Sequence, residues 1–121
     1  MSDLHATPYR ILVCGSRDYN DISKVSMILR RYRDSHPVII HGAARGADAC
    51  ASLACRVLGY EEERHPANWK KYGKAAGPIR NREMLDSGID LVLAFWDGKS
   101  PGTRNMMAIA RKAGVEVKVY R

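Results

Sequence analysis

The sequence predicts a single α/β domain of Rossmann type, with a five-stranded, mainly parallel sheet and helices on both faces. Its 121 residues suffice for one domain of ordinary size and are too few for two. Short apolar segments alternate with segments of helical pattern along the chain. Most of these apolar segments are continuous, which is typical of strands buried on both faces of a parallel sheet. We expect the strand order 3-2-1-4-5 and an N-terminal tail over residues 1–8.

The first half of the chain is expected to contribute three strands and two helices. Asp21 is placed to cap the first helix, and Gly59 to end the second, which is rich in alanine. Three consecutive glutamates make the third strand polar, so we place it at an edge of the sheet. The predicted strands are residues 9–14, 38–41 and 60–65, and the predicted helices are residues 21–35 and 47–58.

The second half is expected to begin with a long loop over residues 67–77. Pro78 follows this loop and occupies the position of a proline in the first helical position. The predicted elements after the loop are a helix at residues 78–88, a strand at 90–96, a helix at 103–113 and a strand at 115–120.

Charge and cysteine content narrow the possible functions. Twenty lysines and arginines against thirteen acids give a net charge of +7, which favours anionic partners, either nucleic acid or small phosphorylated ligands. Cys14, Cys50 and Cys55 are interpreted as reduced, buried packing residues. No apolar run has the length of a membrane span and no secretory signal is recognised, so we expect a cytoplasmic location and no membrane partner.

Three glycine-containing turns carry the functional signal. They follow Cys14, His41 and Trp96, at the ends of strands one, two and four. The carboxyl ends of parallel strands meet at one edge, where helix N-termini offer free N–H groups and a partial positive charge. Phosphate suits such an edge, because glycine lets the backbone approach it closely and hydroxyl and arginine groups add donors. The predicted ligand-binding residues are Gly15, Ser16, Arg17, Gly42, Arg45, Gly46, Asp48, Asn81, Ser100, Gly102 and Thr103.

Other interpretations of these residues stay open. The glycines could serve tight turns alone, and the arginines could be solvated loop charges. Asp48 could complement the dipole of its helix rather than contact a ribose hydroxyl. His41 is interpreted as a hydrogen-bonded core residue rather than a base.

The P-loop, the dinucleotide-binding glycine motif and the usual spacings of metal ligands do not occur in the sequence. Gly46 is not followed by the Lys-Ser/Thr pair of a P-loop, and no Gly-x-Gly-x-x-Gly follows the first strand. This disfavours an ordinary NTPase or a dinucleotide-dependent dehydrogenase. The four histidines lack ligand spacing and no Cys-x-x-Cys occurs, so we expect neither a metal nor a cofactor.

Four motifs occur in order along the chain. They are Gly-Ser-Arg-Asp-Tyr after strand one, His-Gly-Ala-Ala-Arg-Gly-Ala-Asp after strand two, Asn-Trp-Lys with Gly-Pro-Ile-Arg-Asn-Arg-Glu-Met-Leu in the middle, and Pro-Gly-Thr late in the chain. Together they resemble the SLOG superfamily, in particular its short stand-alone YspA-type branch, over about residues 10–120. That superfamily includes the Lonely-guy phosphoribohydrolases and the DNA-processing protein DprA, Rossmann-like domains that bind nucleotides or related ligands.

The resemblance implies roles for particular residues. Residues 100–103 are similar to the tail of the Lonely-guy phosphate loop, which makes Gly102 and Thr103 the phosphate cradle. Arg80 matches the functional arginine of that family's Arg-Lys-x-x-Met motif, with Met84 as its methionine. Arg80 is therefore the candidate catalytic residue.

The chain departs from the Lonely-guy pattern directly after this loop. Those enzymes continue with a glutamate pair needed to cleave the N-glycosidic bond, where this chain has Arg-Asn-Met at residues 104–106. An oxocarbenium-like transition state or its attacking water needs a carboxylate. Hydrolysis would therefore require another acid, such as Asp48 or Glu83.

The predicted function is binding of a nucleotide or nucleotide-derived ligand, as a sensor or carrier. One alternative is an N-glycosidic-bond enzyme, either a phosphoribohydrolase or a deoxyribosyltransferase. Another is single-stranded nucleic-acid binding, because residues 64–82 hold basic side chains and no acid, with Trp69 and Tyr72 between them. We prefer to interpret that segment as a lid over the ligand. Lonely-guy relatives dimerise, so the resemblance implies a homodimer.

Overall fold

The computed structural model describes residues 8–121, so the predicted tail over residues 1–8 lies outside the described residues except for its last one. Strands alternate with helices throughout this part of the chain. In chain order the elements are β1 (Arg10–Gly15), α1 (Ile22–Arg30), β2 (Val38–His41), α2 (Ala47–Leu58), β3 (Glu61–Arg64), α3 (Trp69–Tyr72), α4 (Ala76–Asp86), β4 (Leu91–Phe95), α5 (Pro101–Lys112) and β5 (Glu116–Tyr120).

The strands form one parallel sheet in the order β3-β2-β1-β4-β5, which confirms the predicted topology. In β1, Ile11 lies opposite Ile39 of β2 and Leu91 of β4. The last residue of β1, Gly15, lies opposite Phe95 at the end of β4. The carboxyl ends of the three central strands therefore share one edge. The polar strand β3 lies at the border of the sheet, as predicted.

Alternate residues of β1 face two halves of the core. Ile11 and Val13 are fully buried against α1 and α2 on one face of the sheet. Leu12 and Cys14 are buried against α4 and α5 on the other. Helices on both faces explain why the central strands are apolar throughout, since neither face meets water.

The first helix is shorter than the sequence predicted. Asp21 caps it as expected, with its carboxylate accepting a hydrogen bond from the N–H of Lys24 at 3.0 Å. The α-helix ends at Arg30, and a short 3-10 turn replaces its predicted last residues. Pro37 prevents the helix from continuing beyond this turn, because proline lacks a helical N–H and disfavours helical geometry in the residue before it. His36 leaves the helical region with a φ of 48°. The earlier end at Arg30 has no explanation in the sequence.

Three boundaries in the second half also differ from the prediction. The segment expected to be a loop contains the short helix α3, which Asn68 caps. Helix α4 starts at Ala76, so Pro78 is its third residue rather than its first. Proline is tolerated there because N–H groups of the first turn have no partner within the helix. Helix α5 starts at Pro101 instead of residue 103, with its proline in the first position.

Candidate functional site

A cleft of about 1120 Å³ opens at the carboxyl ends of β1, β2 and β4. Helices α4 and α5 and the segment before α4 supply its other walls. With the exception of Gly46, the predicted ligand-binding residues all line it. These lining residues, together with Arg80, are Gly15, Ser16, Arg17, Gly42, Arg45, Asp48, Asn81, Ser100, Gly102 and Thr103. The fold thus gathers them at one place, and their contact with a ligand stays a prediction.

Two of the predicted glycines are explained by contacts inside the protein. A Cβ atom on Gly15 would overlap the carbonyl oxygen of Phe95, and one on Gly46 would overlap that of Ser16. Gly46 also has a φ of +74°, which favours glycine. The carbonyl of Ser16 accepts a hydrogen bond from the N–H of Ala47 at 3.2 Å. The turns after β1 and β2 therefore need these glycines to pack against each other, with or without a ligand.

Gly42 and Gly102 differ in what surrounds them. A Cβ atom on Gly42 would overlap the guanidinium of Arg80, whose Nη1 donates a hydrogen bond to the carbonyl oxygen of Gly42 at 2.6 Å. Apart from its chain neighbours and the backbone of its own helix, no described atom lies within 4 Å of the position that a Cβ atom would take on Gly102. Of the four glycines, Gly102 is therefore the one that leaves open space for a ligand.

The loop between β2 and α2, residues 42–46, uses most of its amide groups internally. The carboxylate of Asp48 accepts hydrogen bonds from the N–H groups of Gly42 and Ala44, at 3.1 and 3.2 Å. The N–H of Ala43 donates to the imidazole at the end of β2 at 3.0 Å. This corrects the expectation that main-chain amides of this turn hold a phosphate, because side chains already occupy three of them.

His41 supplies that imidazole and is a buried core residue, as predicted. Its Nδ1 accepts from Ala43, so its Nε2 carries the ring hydrogen. Nε2 donates to Oε2 of Glu62 at 2.5 Å. Both ring nitrogens are thus engaged in holding the loop and the edge strand β3.

The start of α5 offers N–H groups to the cleft. Gly102 and Thr103 lie in the first helical turn, where no earlier carbonyl of the helix can accept from them. Ser100, at the N-cap position, makes no capping hydrogen bond through its side chain, and Pro101 has no N–H. Two amides and the positive end of a helix of twelve residues therefore face the cleft.

Arg80 and Arg17 place positive charge in the cleft that the start of α5 also lines. Burial lowers the pKa of the Arg80 guanidinium, and the nearby charge of Arg17 acts in the same direction. Among residues 8–121, neither arginine has a carboxylate oxygen within 4 Å. Asp48 is close enough to favour the charge of Arg80 without pairing with it. The two guanidinium groups thus lack a full counter-ion in the cleft.

Asn81 connects α4 to the start of α5. Its Nδ2 donates to the carbonyl oxygen of Gly102 at 3.2 Å and to Oδ1 of Asn105 at 2.9 Å, and its own Oδ1 accepts from Nε of Arg80 at 3.1 Å. The side chain is buried. Its amide is therefore occupied within the protein, and it positions the residues on either side of it.

The segment before α4 covers one side of the cleft with Trp69. Half of the Trp69 surface is exposed (50%), and the Arg17 guanidinium lies 5.9 Å from the centre of its ring. The ring also lies over Gly77, where a Cβ atom would be 3.4 Å from it. Helix α3 contributes no buried residue, so it lies on the cleft rather than in the core. This position suits the predicted lid.

Asp48 and Asp97 both line the cleft, and the pKa values of their carboxylates are shifted in opposite directions. Burial raises the pKa of Asp48, although hydrogen bonds from the loop amides and the charge of Arg80 oppose the shift. The pKa of Asp97 is lowered by hydrogen bonds from the N–H groups of residues 99 and 100, at 2.8 and 3.0 Å. Asp97 is exposed and ionised, whereas Asp48 is buried and committed to the loop.

Glu83 does not belong to the cleft. It is exposed on α4 and is missing from the residues that line the cleft, so the suggestion that it replaces the Lonely-guy glutamates is wrong. The sequence reasoning also missed Asp97 and Asn105, which do line the cleft. The signal for Asp97 was its position directly after the end of a central strand, where side chains reach the crevice.

The cysteines are buried and free, as predicted. Cys14 lies on the floor of the cleft, where burial raises the pKa of its thiol and keeps it protonated and unreactive. None of the helices within residues 8–121 combines the length and apolar character needed to cross a lipid bilayer. Across the same residues, no group of three His, Cys, Asp or Glu side chains is placed to hold a metal ion.

Comparisons with known proteins extend over most of the chain. A family model described as the YspA, cpYpsA-related SLOG family matches residues 9–72. The Gene 61 protein of Mycobacterium phage D29 is 41% identical over 116 residues, covering 89% of this chain and 93% of the phage protein. The similarity to the phage protein therefore reaches well beyond the part that the family model matches.

Two solved structures share the fold. DNA processing protein A (DprA) from Streptococcus pneumoniae has a TM-score of 0.75 at 19% identity, over 92% of this chain and 50% of its own. This chain thus spans half the length of DprA. The protein TM1055 has a TM-score of 0.69 at 16% identity, over 90% of this chain and 72% of its own. At such low identity these likenesses establish the fold alone.

Proposed function

The chain belongs to the YspA, cpYpsA-related SLOG family, and from that premise we propose that it binds a nucleotide or nucleotide-derived phosphorylated ligand in the cleft, as a sensor or carrier. The superfamily resemblance and the predicted residues both favour this class of ligand. The cleft volume of about 1120 Å³ is ample for a nucleotide, since small-molecule sites commonly measure about 300–1000 Å³.

The observation that carries the proposal is the arrangement of positive groups in the cleft. Arg80 is partly buried, close to Arg17, and neither is paired with a carboxylate within residues 8–121. Two guanidinium groups in this position repel each other, and a bound anion removes that cost. The N–H groups of Gly102 and Thr103 face the same cleft and add the positive end of the helix. A phosphate between the arginines and these amides satisfies all four groups.

Trp69 supports a nucleoside part of the ligand. Its ring is half exposed over the cleft and is bordered by Arg17. Exposed aromatic rings beside cationic groups favour stacking of a nucleobase. A phosphate at α5 and a base on Trp69 would together span the cleft from one wall to the lid.

Asp97 favours one second candidate, an N-glycosidic-bond enzyme. Its carboxylate is exposed in the cleft with a lowered pKa, so it is ionised at neutral pH. An ionised carboxylate can stabilise an oxocarbenium-like transition state or form a covalent glycosyl intermediate. Asp48 is less suitable, because it is buried and burial raises its pKa. Release of free base from nucleoside monophosphates, lost in Asp97→Asn, would support this candidate, and no release would leave binding as the function.

Thermal unfolding in the presence of AMP, ADP or adenosine tests the proposal. A ligand that binds only the native state raises the melting temperature with its concentration. We expect AMP and ADP to raise it and adenosine to have little effect, because the phosphate supplies the contacts. Arg80→Gln should remove the effect of AMP, whereas Arg111→Gln, an exposed change in the last turn of α5, should leave it. Equal responses to AMP and adenosine, or none to any nucleotide, would contradict the proposal.

Competition distinguishes this function from single-stranded nucleic-acid binding through the basic lid. Affinity that rests on lid lysines would fall steeply with salt and would not be displaced by AMP. A ligand in the cleft would be displaced by AMP.

Two further parts of the proposal, a cytoplasmic location and a homodimer, stay predictions. The homodimer is tested by the mass of the protein in solution.

A further inference from the structure

A second cavity, of about 390 Å³, adjoins the cleft across the loop of residues 42–46. The two cavities share the walls formed by Ala43, Ala44, Arg45 and Asp48. The second one continues along the outer side of α2 and the end of β3. We call it the outer groove. A ligand long enough to cross the loop would therefore occupy both cavities.

The outer groove combines positive charge with an apolar surface. Arg45, Arg56 and Arg64 line it, and each is exposed. Leu53 and Ala49 line it as well, and Leu53 is 42% exposed although it is a large apolar residue. Arginines suit phosphate oxygens, and apolar side chains suit the face of a base or sugar. The groove thus has the same two kinds of group as the cleft.

The acids near the outer groove are already engaged. Glu62 accepts from Nε2 of His41 at 2.5 Å, and Arg64 reaches it only at 3.9 Å. Asp48 holds two loop amides. Among residues 8–121, Arg45 and Arg56 have no carboxylate oxygen within 4 Å. The positive charge of the groove is therefore available to a ligand.

The loop between the cavities is held in one conformation. Ala43 has a φ of 57°, which is strained for a residue with a side chain. Its N–H is held by His41 and the next N–H by Asp48. These side-chain hydrogen bonds hold the loop in place between the two cavities.

We infer that the site takes a ligand in which two nucleotide units are joined through phosphate, one unit in the cleft and the other in the outer groove. Arg45 lies at the junction and faces the linking phosphate. This inference rests on the proposed function, because the first unit occupies the same cleft. Two kinds of molecule contain such a pair of linked nucleotide units: a free dinucleotide and a single strand of nucleic acid.

Calorimetric titration with AMP, the dinucleotide pApA and a twelve-nucleotide oligoadenylate tests the inference. We expect pApA to bind about tenfold more tightly than AMP, since charge-assisted contacts to a second phosphate contribute at that level. The double variant Arg56→Glu, Arg64→Glu should remove this advantage and leave AMP binding unchanged. The double variant Arg111→Glu, Lys112→Glu is the matched control, because it reverses the same number of charges at exposed positions in the last turn of α5. After correction for the overlapping dinucleotide registers of the oligomer, equal affinity of the oligomer and pApA would identify a free dinucleotide as the source, and tighter binding of the oligomer a strand.

The outcomes separate the two proposals. If AMP binds and pApA binds no more tightly to the natural protein, the outer groove is not a second subsite, whatever the variant does. If the double variant weakens AMP and pApA equally, the arginines act through overall charge and the inference fails. If no AMP binding is detected, the proposed function itself fails.

Discussion

The guanidinium of Arg80 donates a hydrogen bond through Nη1 to the carbonyl oxygen of Gly42 at 2.6 Å, which joins α4 to the loop after β2. The next residue, Asn81, holds the carbonyl of Gly102 and so joins α4 to the start of α5. Two successive residues of one helix thus fix two walls of the cleft. Loss of the Arg80 guanidinium therefore alters both the charge of the cleft and the position of the loop.

Substitution of Gly102 by alanine should stabilise the protein and at the same time weaken its binding of AMP. Gly102 has a helical environment with open space beside it, so Gly102→Ala should raise the free energy of unfolding by about 0.5 kcal/mol. The added methyl group occupies space beside the exposed amides, so the affinity for AMP should fall at least several-fold. Chemical denaturation and calorimetric titration measure the two effects.

Gly42→Ala is the matched comparison for that variant. Its methyl group would overlap the Arg80 guanidinium, so we expect it to lower both stability and AMP affinity. If Gly102→Ala bound AMP as well as the natural protein, the start of α5 would not be the phosphate site.

Asp48 should be needed as a hydrogen-bond acceptor rather than as a charge. Asp48→Ala leaves two N–H groups of the loop without a partner and should cost about 3 kcal/mol of unfolding free energy. Asp48→Asn keeps an acceptor oxygen and should cost much less. Because the pKa of Asp48 is raised in the folded protein, folding favours its protonated form. The stability of the natural protein relative to Asp48→Asn should therefore decrease as the pH rises above the unfolded pKa. Equal losses of unfolding free energy in Asp48→Ala and Asp48→Asn would contradict the acceptor role of Asp48.

Glu63 should stabilise the protein in a pH-dependent way. It pairs with Arg10 at 2.8 Å and with His65 at 2.7 Å, and these hydrogen bonds lower its pKa from the ordinary 4.5 to about 2. The stabilisation is therefore complete above about pH 4.5 and is lost as the pH falls towards 2. Since Glu63 is partly exposed, Glu63→Gln should cost only about 1 kcal/mol at pH 7. Denaturation series at pH 7 and pH 3 should show the difference shrinking, and a constant difference would contradict the assignment.

Tyr19 carries a buried hydroxyl that has no hydrogen-bond partner among the described residues. Tyr19→Phe should therefore leave the unfolding free energy unchanged or raise it by up to about 1 kcal/mol. Tyr60→Phe is its control, because the Tyr60 hydroxyl donates to the carbonyl of Leu29 at 2.9 Å and its loss should cost about 1 kcal/mol. A larger loss for Tyr19→Phe than for Tyr60→Phe would show that the Tyr19 hydroxyl has a partner in solution.

The sheet could be predicted because its signals are local. Continuous apolar strands, glycine ends and a polar third strand follow directly from the residue order, and they predict a parallel sheet with the third strand at its border, as observed. The helix ends were less predictable. Pro37 was visible in the sequence and limits the helix at residue 36, but nothing in the sequence marks the end of the α-helix at Arg30. Short helices such as α3 depend on a single cap, Asn68, and have little periodicity to detect.

The sheet topology brings the predicted ligand-binding residues other than Gly46 to one cleft, whereas the contacts that each of them makes within the protein could not be predicted from the sequence. Gly42 was interpreted as a phosphate-approach glycine, but its neighbour is Arg80, 38 positions away along the chain. Gly46 was interpreted in the same way, but it packs against Ser16. Which partner an amide or a glycine meets is decided by tertiary contacts, and a single sequence does not contain them.

Amide chemical shifts during titration with AMP test the central claim most directly. If a phosphate binds at the start of α5, the N–H signals of Gly102 and Thr103 should shift most, and adenosine should leave them in place. The signals of Gly42 and Ala44, which Asp48 already holds, should shift less. Shifts of equal size with adenosine, or AMP shifts that leave Gly102 and Thr103 unchanged, would contradict the account.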